Sequence, residues 1–144
     1  MIKFLDIYKQ DRLLHKSIIK KISKLFVKGD FIMGNEVQIF ENNFRKYCNA
    51  KYAISCGNGT DALTIALKSL DLPKNSEVIL PAMTYCSTAF AVLNANLKPV
   101  LVDTESMKST IDLRELKKKI TKKTKVILPV HLYGSVANLN GIKK

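Results

Sequence analysis

Apolar residues recur at helical spacing in the first third of the chain. One run predicts an amphipathic helix over residues 8–28 that ends at Gly29. A second run predicts a helix from Glu36 to Cys48. The two runs consist of Leu13, Leu14, Ile18, Ile22, Leu25 and Phe26, and of Val37, Phe40, Phe44 and Tyr47. The apolar loop between the helices, residues 31–34, is too short for a strand in a sheet core.

From residue 51 onward the pattern changes to short apolar runs that alternate with helical ones. The predicted strands are residues 52–56, 77–80, 99–103 and 125–130, and the predicted helices are residues 60–70, 84–94 and 112–120. Asp112 stands near the start of the last of these helices, where its side chain can cap the helix. Strands that alternate with helices in this way predict an α/β fold with a mostly parallel sheet flanked by helices. Since the chain stops soon after a helix-like start at Val136, we expect it to be incomplete.

Composition places the chain among globular proteins and argues against a membrane segment. It has 144 residues, of which 47% are hydrophobic and 25% charged. The longest uncharged stretch, residues 78–97, contains Pro81 and several polar residues, so it is a poor membrane span. Charges within the first twenty residues leave no apolar centre for a signal peptide. We therefore expect a cytoplasmic protein without a membrane partner.

The net charge of +12 raises the question of a nucleic-acid partner. The excess lies in residues 1–30 and 113–125, and only three of the basic residues are arginines. Lysine-rich, solvated helix faces explain this distribution better than a nucleic-acid footprint, which favours arginine. A basic nucleic-acid-binding module remains an alternative, and it predicts salt-sensitive binding that weakens when Lys117, Lys118 and Lys119 are neutralised. Three cysteines without a CxxC pair, together with two isolated histidines, indicate neither a disulfide framework nor a metal site.

A glycine loop, Gly57-Asn58-Gly59-Thr60-Asp61-Ala62, lies between a predicted strand and a predicted helix. Glycines let the backbone come close to a phosphate, and the helix start offers free N–H groups and a positive dipole end. The simpler interpretation is a glycine turn that caps a helix. The loop also fits the dinucleotide fingerprint, with Glu77 twenty residues beyond Gly57, which makes a dinucleotide-dependent oxidoreductase an alternative. Glu77, however, opens its strand, whereas the ribose-binding acid of that fold ends one.

Three further candidates follow predicted strands, where open α/β sheets bind their ligands. Tyr85 could stack on a flat heterocycle, although a tyrosine beside an apolar helix is often part of the core. Asp103 and His131 could face the same site or serve only local turns.

Taken together, five segments resemble the amino-terminal part of the DegT/DnrJ/EryC1/StrS sugar aminotransferases, which are pyridoxal-phosphate enzymes of the aspartate-aminotransferase fold (fold type I). The segments are residues 31–37, 55–63, 77–85, 99–103 and 129–134. The resemblance implies that residues 51–144 are an incomplete cofactor-binding large domain. It also implies that residues 1–50 are a helical segment that packs on this domain or on a dimer partner.

The resemblance also assigns roles to individual residues. Gly59 and Thr60 match positions that hold the phosphate of pyridoxal 5'-phosphate, and Tyr85 matches the aromatic residue that stacks on its ring. Asn58 is a further predicted cofactor-binding residue. Substrate-binding roles are implied for Gly34, Asp103 and His131. The family's Schiff-base lysine and the acid that pairs with the pyridinium nitrogen fall beyond residue 144. No catalytic residue is therefore assigned, and we expect the chain alone to be inactive.

The implied activity is transfer of an amino group from an amino-acid donor, glutamate, to a keto group of a nucleotide-linked sugar. Such a reaction belongs to polysaccharide or amino-sugar biosynthesis, and the family's enzymes are homodimers. A sugar dehydratase of the same family is an alternative, because the residues that separate the two reactions lie downstream. The sequence leaves open which sugar, and which of its carbons, is aminated.

Overall fold

The computed structural model describes residues 4–144, which belong to two compact units that divide between Ser55 and Cys56. The first unit contains three helices: α1 (Ile7–Gln10), α2 (His15–Lys28) and α3 (Asn35–Tyr47). The second contains α4 (Gly59–Lys68), β1 (Glu77–Pro81), α5 (Ser87–Asn94), β2 (Lys98–Val102), α6 (Leu113–Lys119), β3 (Thr124–Ile127), a 3-10 turn (Leu132–Gly134) and α7 (Leu139–Ile142).

The helix predicted over residues 8–28 is interrupted in the structure, so that prediction is wrong in part. Asp6 accepts a hydrogen bond from the Lys9 N–H and caps α1. The Asp11 carbonyl then accepts from the Leu14 N–H in a turn before α2 begins. The spacing of apolar residues does not predict a helix break that depends on such local hydrogen bonds. The predicted end is confirmed, because Gly29 terminates α2 in the left-handed conformation, with φ at 69°.

The strand predicted over residues 52–56 is absent. Within residues 4–144 this segment pairs with no strand, although Glu41 accepts a hydrogen bond from the Ser55 N–H at 2.7 Å. The side chains of Tyr52 and Ile54 are 70% and 85% exposed. A short apolar run becomes a strand only where a neighbour supplies ladder hydrogen bonds, and this condition cannot be seen in local sequence.

The second unit is built on a parallel three-stranded sheet in the order β2-β1-β3, which confirms the α/β prediction. Central strand β1 is buried along its whole length. Since side chains alternate along a strand, Val78 and Leu80 pack on one face with residues of α4 and α5. On the other face, Ile79 packs with Val102, Ile111 and Leu116, the last of which belongs to α6. The sheet therefore carries helices on both sides, each of which contributes apolar side chains to the core.

Glu77 ties together the amino-terminal ends of the three strands. Its carboxylate accepts hydrogen bonds from Lys98 Nζ at 3.2 Å and from Thr121 Oγ1 at 2.6 Å, and its N–H donates to the Lys123 carbonyl at 2.9 Å. The Thr121 hydroxyl, followed by Lys98, lowers the pKa of the Glu77 carboxyl below its usual value. The residue is therefore structural, and it lies at the edge of the sheet opposite the strand ends discussed next.

Residues 4–144 contain no helix that is both long enough and apolar enough to span a bilayer.

Candidate functional site

Asn58 shapes the start of helix α4. Its backbone is extended, and its side-chain Oδ1 accepts a hydrogen bond from the Asp61 N–H at 2.9 Å. Its Nδ2 donates to Asp61 Oδ2, also at 2.9 Å. The structure thus gives the Asn58 side chain a capping role, which uses one of the free N–H groups of the helix start. Its part in cofactor binding stays a prediction.

The next two residues leave donors available to a ligand. Within residues 4–144, the N–H groups of Gly59 and Thr60 have no acceptor. A Cβ added at Gly59 would meet nothing within 4 Å, whereas one at Gly57 would lie 2.8 Å from Asp61 Oδ2. A side chain at Gly57 would therefore require the Asp61 carboxylate to shift, whereas the surroundings of Gly59 are open. Free N–H groups at a helix start fit a phosphate.

A hydroxyl pair links this loop to the residues that follow strand β1. Thr60 Oγ1 donates a hydrogen bond to Ser87 Oγ at 2.8 Å, and Ser87 is the first residue of α5. Tyr85 stands two residues earlier, in a loop held by a 2.9 Å contact between the hydroxyls of Thr84 and Thr88. The Tyr85 residue is 73% exposed, so its ring is available for stacking and is not part of the core. The structure thus brings the Tyr85 loop beside the glycine loop.

Asp103 and His131 follow β2 and β3, so their backbones reach the same carboxyl edge of the parallel sheet as Tyr85. Asp103 is exposed, and its carbonyl accepts from the Asp112 N–H at 3.0 Å. His131 Nδ1 accepts from the Ala137 N–H at 3.0 Å. This bond places the proton of the neutral ring on Nε2, where it can serve as a donor. The substrate roles of both residues stay predictions.

Gly34 belongs to the first unit, where it caps helix α3. A Cβ at Gly34 would overlap the Asp30 carboxylate, which accepts a hydrogen bond from the Asn35 N–H at 3.1 Å. The structure therefore supplies a packing reason for glycine at this position. Its substrate role also stays a prediction.

Sequence reasoning missed Ser87. The residue lies 27 positions after Thr60, and the only local signal is a hydroxyl at the start of a helix that directly follows the Tyr85 loop.

Comparison with known proteins identifies the family of the chain. Residues 13–144 match the DegT/DnrJ/EryC1/StrS aminotransferase family. The chain is similar to a dTDP-3-amino-3,6-dideoxy-alpha-D-galactopyranose transaminase of Aneurinibacillus thermoaerophilus, with 37% identity over 142 residues. This alignment covers 99% of the chain but only 39% of that relative. The chain thus spans about two fifths of the length of the curated relative.

Solved structures extend the likeness to the whole described fold. DesV of S. venezuelae matches with a TM-score of 0.92 and 32% identity, over 99% of this chain and 38% of DesV. NtdA of Bacillus subtilis, solved with bound pyridoxamine phosphate (PMP), matches with a TM-score of 0.88 and 33% identity, over 99% of this chain and 34% of NtdA. These matches favour the aminotransferase over the dinucleotide and nucleic-acid alternatives. The chain belongs to the DegT/DnrJ/EryC1/StrS aminotransferase family.

Proposed function

We propose that this chain supplies the phosphate-binding and ring-stacking part of a pyridoxal-phosphate-dependent aminotransferase. The whole protein would move an amino group from an amino acid, glutamate, to a keto group of a nucleotide-linked sugar. One observation carries the proposal: beside the Tyr85 loop, the N–H groups of Gly59 and Thr60 have no acceptor within residues 4–144, in a chain of this family. The names of the relatives supply the reaction and the substrate class.

The residues present suit the two ends of the cofactor. A phosphate dianion accepts hydrogen bonds from the N–H groups of Gly59 and Thr60, and the dipole of α4 favours its charge. The exposed Tyr85 ring offers a flat face to a pyridine ring. When bound, the cofactor supplies the electron sink that amino transfer needs. The chain itself therefore binds and orients the cofactor, while the lysine and the acid that complete the site are predicted outside these residues.

Exposed apolar helix faces support the further proposal that the protein works as a homodimer. None of residues 4–55 is buried within this chain, although α2 and α3 each carry a row of large apolar side chains. A second copy of the chain, as the family resemblance implies, would cover part of this surface.

A comparison of two ligands that differ only in the phosphate tests the cofactor assignment. We suggest titrating the protein with PMP and with pyridoxamine, neither of which has an aldehyde that could react with surface lysines. Charge-assisted hydrogen bonds are worth about 1.5–3 kcal/mol, so we expect PMP to bind at least about tenfold more tightly. Exchanging Thr60 for valine and Gly59 for alanine together removes the Thr60 hydroxyl and adds a methyl group at the helix start. This variant should weaken the preference for PMP, although both backbone N–H groups remain.

The matched control is Thr64→Val, because the Thr64 hydroxyl donates to the Thr60 carbonyl one turn further along the same helix. This variant should keep the preference for PMP. Equal affinity of the unmodified protein for the two ligands would contradict the proposed function.

A further inference from the structure

Ser87 has no role in the assignments made so far, yet its hydroxyl lies 2.8 Å from the hydroxyl of Thr60, a residue of the proposed phosphate site. We infer that Ser87 is a positioning residue for the cofactor phosphate, which acts by orienting the hydroxyl of Thr60. The inference rests on the proposed function and adds a residue to its binding site.

The geometry ties the starts of two helices together. Thr60 is the second residue of α4, Ser87 is the first residue of α5, and their hydroxyl oxygens are 2.8 Å apart. Both residues are half-buried, so the contact is partly shielded from competing water. The bond therefore restricts the Thr60 side chain within the glycine loop.

A hydroxyl carries one proton and can accept at two lone pairs, so the direction of this bond can reverse. In the structure, the bond is assigned with Thr60 as the donor and Ser87 as the acceptor. A phosphate oxygen is a stronger acceptor than a neutral hydroxyl, and it would draw the Thr60 proton to itself. Ser87 would then donate its own proton to Thr60 Oγ1. The result is a chain of two hydrogen bonds that ends on the anion, in which each bond strengthens the other.

The same contact bears on the ring end of the site. Tyr85 stands two residues before Ser87, so the bond also constrains the loop that carries the aromatic ring. An effect on the phosphate end alone is nevertheless separable, because pyridoxamine presents the ring without the phosphate.

The experiment titrates PMP and pyridoxamine onto the unmodified protein, Ser87→Ala, Thr60→Val and the double variant. Because a single hydrogen bond is worth about 0.5–1.5 kcal/mol, we expect Ser87→Ala to weaken PMP binding about three- to tenfold. Pyridoxamine binding should change less than about twofold. The double variant should bind PMP about as weakly as Thr60→Val alone, because Ser87 acts through Thr60.

Two further variants separate positioning from a general structural role. Ser87→Thr keeps the hydroxyl, and we expect it to retain the preference for PMP. Ser69→Ala removes a hydroxyl that donates to the Ala66 carbonyl at the other end of α4, and it should leave the preference unchanged. Thermal melting of each variant reports whether the fold is intact.

Each contrary result has a distinct meaning. Equal losses of PMP and pyridoxamine binding in Ser87→Ala, no loss at all, or independent losses in the double variant would overturn the inference and leave the proposed function standing. Absence of a PMP preference in the unmodified protein would remove the proposed function and the inference together.

Discussion

Both units contain elements with large apolar side chains, but they differ in how much they bury. In the second unit, eleven apolar residues are buried, including Ile79 at 0% exposure. In the first unit no residue from 4 to 55 is buried, and Ile19 on α2 is 64% exposed. Both isoleucines lie on regular elements. The difference is that β1 has a strand on each side and helices on both faces, whereas the helices of the first unit lack such a covering within this chain.

The comparison separates two physical requirements. A helix needs suitable spacing, caps and local contacts, and α2 and α3 have these, including the left-handed Gly29 and the Phe40–Phe44 ring pair at 5.5 Å. Burial also needs a second surface that covers the apolar face. The spacing of apolar residues shows that a helix has such a face but does not identify what covers it. The exposed faces of the first unit agree with the proposal that a second copy of the protein covers them.

Matched isoleucine truncations provide the strongest test of this comparison. Ile79→Ala should lower the free energy of unfolding by about 2–5 kcal/mol, because it opens a cavity in the core. In the monomeric chain, Ile19→Ala should change it by less than about 0.5 kcal/mol, because the side chain is exposed there. Urea unfolding followed by circular dichroism measures both. An equally large loss for Ile19→Ala would show that another surface covers α2 in solution.

Acid should affect the second unit through Glu77. Its pKa is lowered in the folded protein, so the carboxylate stabilises the fold above its ordinary value of 4.5. This contribution is lost as the pH falls through the lowered pKa. We therefore expect the melting temperature of the unmodified protein to fall more steeply below pH 5 than that of Glu77→Gln. Parallel curves for the two proteins would mean that the Thr121 and Lys98 contacts do not favour the ionised form.

The smallest expected effect concerns the lysine–glutamate pair of the first unit. Lys21 Nζ lies 3.5 Å from Glu36 Oε2, and both side chains are largely exposed. Water and salt screen such pairs, so Lys21→Ala should change the free energy of unfolding by less than about 0.5 kcal/mol. A double-mutant cycle with Glu36→Gln at low and high salt measures the coupling. Coupling above about 1 kcal/mol that resists salt would show that the pair is shielded from solvent.

Much of the second unit could be predicted from sequence because its strands and helices have recognisable local sequence patterns. Strands β1, β2 and β3 are short apolar runs, and Asp112 caps α6 by accepting from the Arg114 N–H at 2.7 Å. The free N–H groups of the glycine loop follow from the way any helix begins, which is why Gly59 and Thr60 could be singled out.

The remaining features depend on contacts between distant residues. The run from Tyr52 to Cys56 has the composition of a strand but no partner within residues 4–144. The Thr60–Ser87 bond and the bond between His131 and Ala137 depend on how loops meet after folding. The spacing of apolar residues does not predict such contacts, because a threonine, serine or histidine can make hydrogen bonds in many different settings.

The two ends of the sheet differ, because the Glu77 contacts lie at the end where the strands begin. From the start of β1, the Glu77 carboxylate contacts Lys98 at the start of β2 and Thr121 just before β3, and its N–H bonds the Lys123 carbonyl. A slip of a neighbouring strand would break these bonds. The opposite ends of the strands take no part in these contacts. Loops there could change in length and chemistry over evolutionary time to suit new ligands, while the alignment of the strands beneath them stays the same.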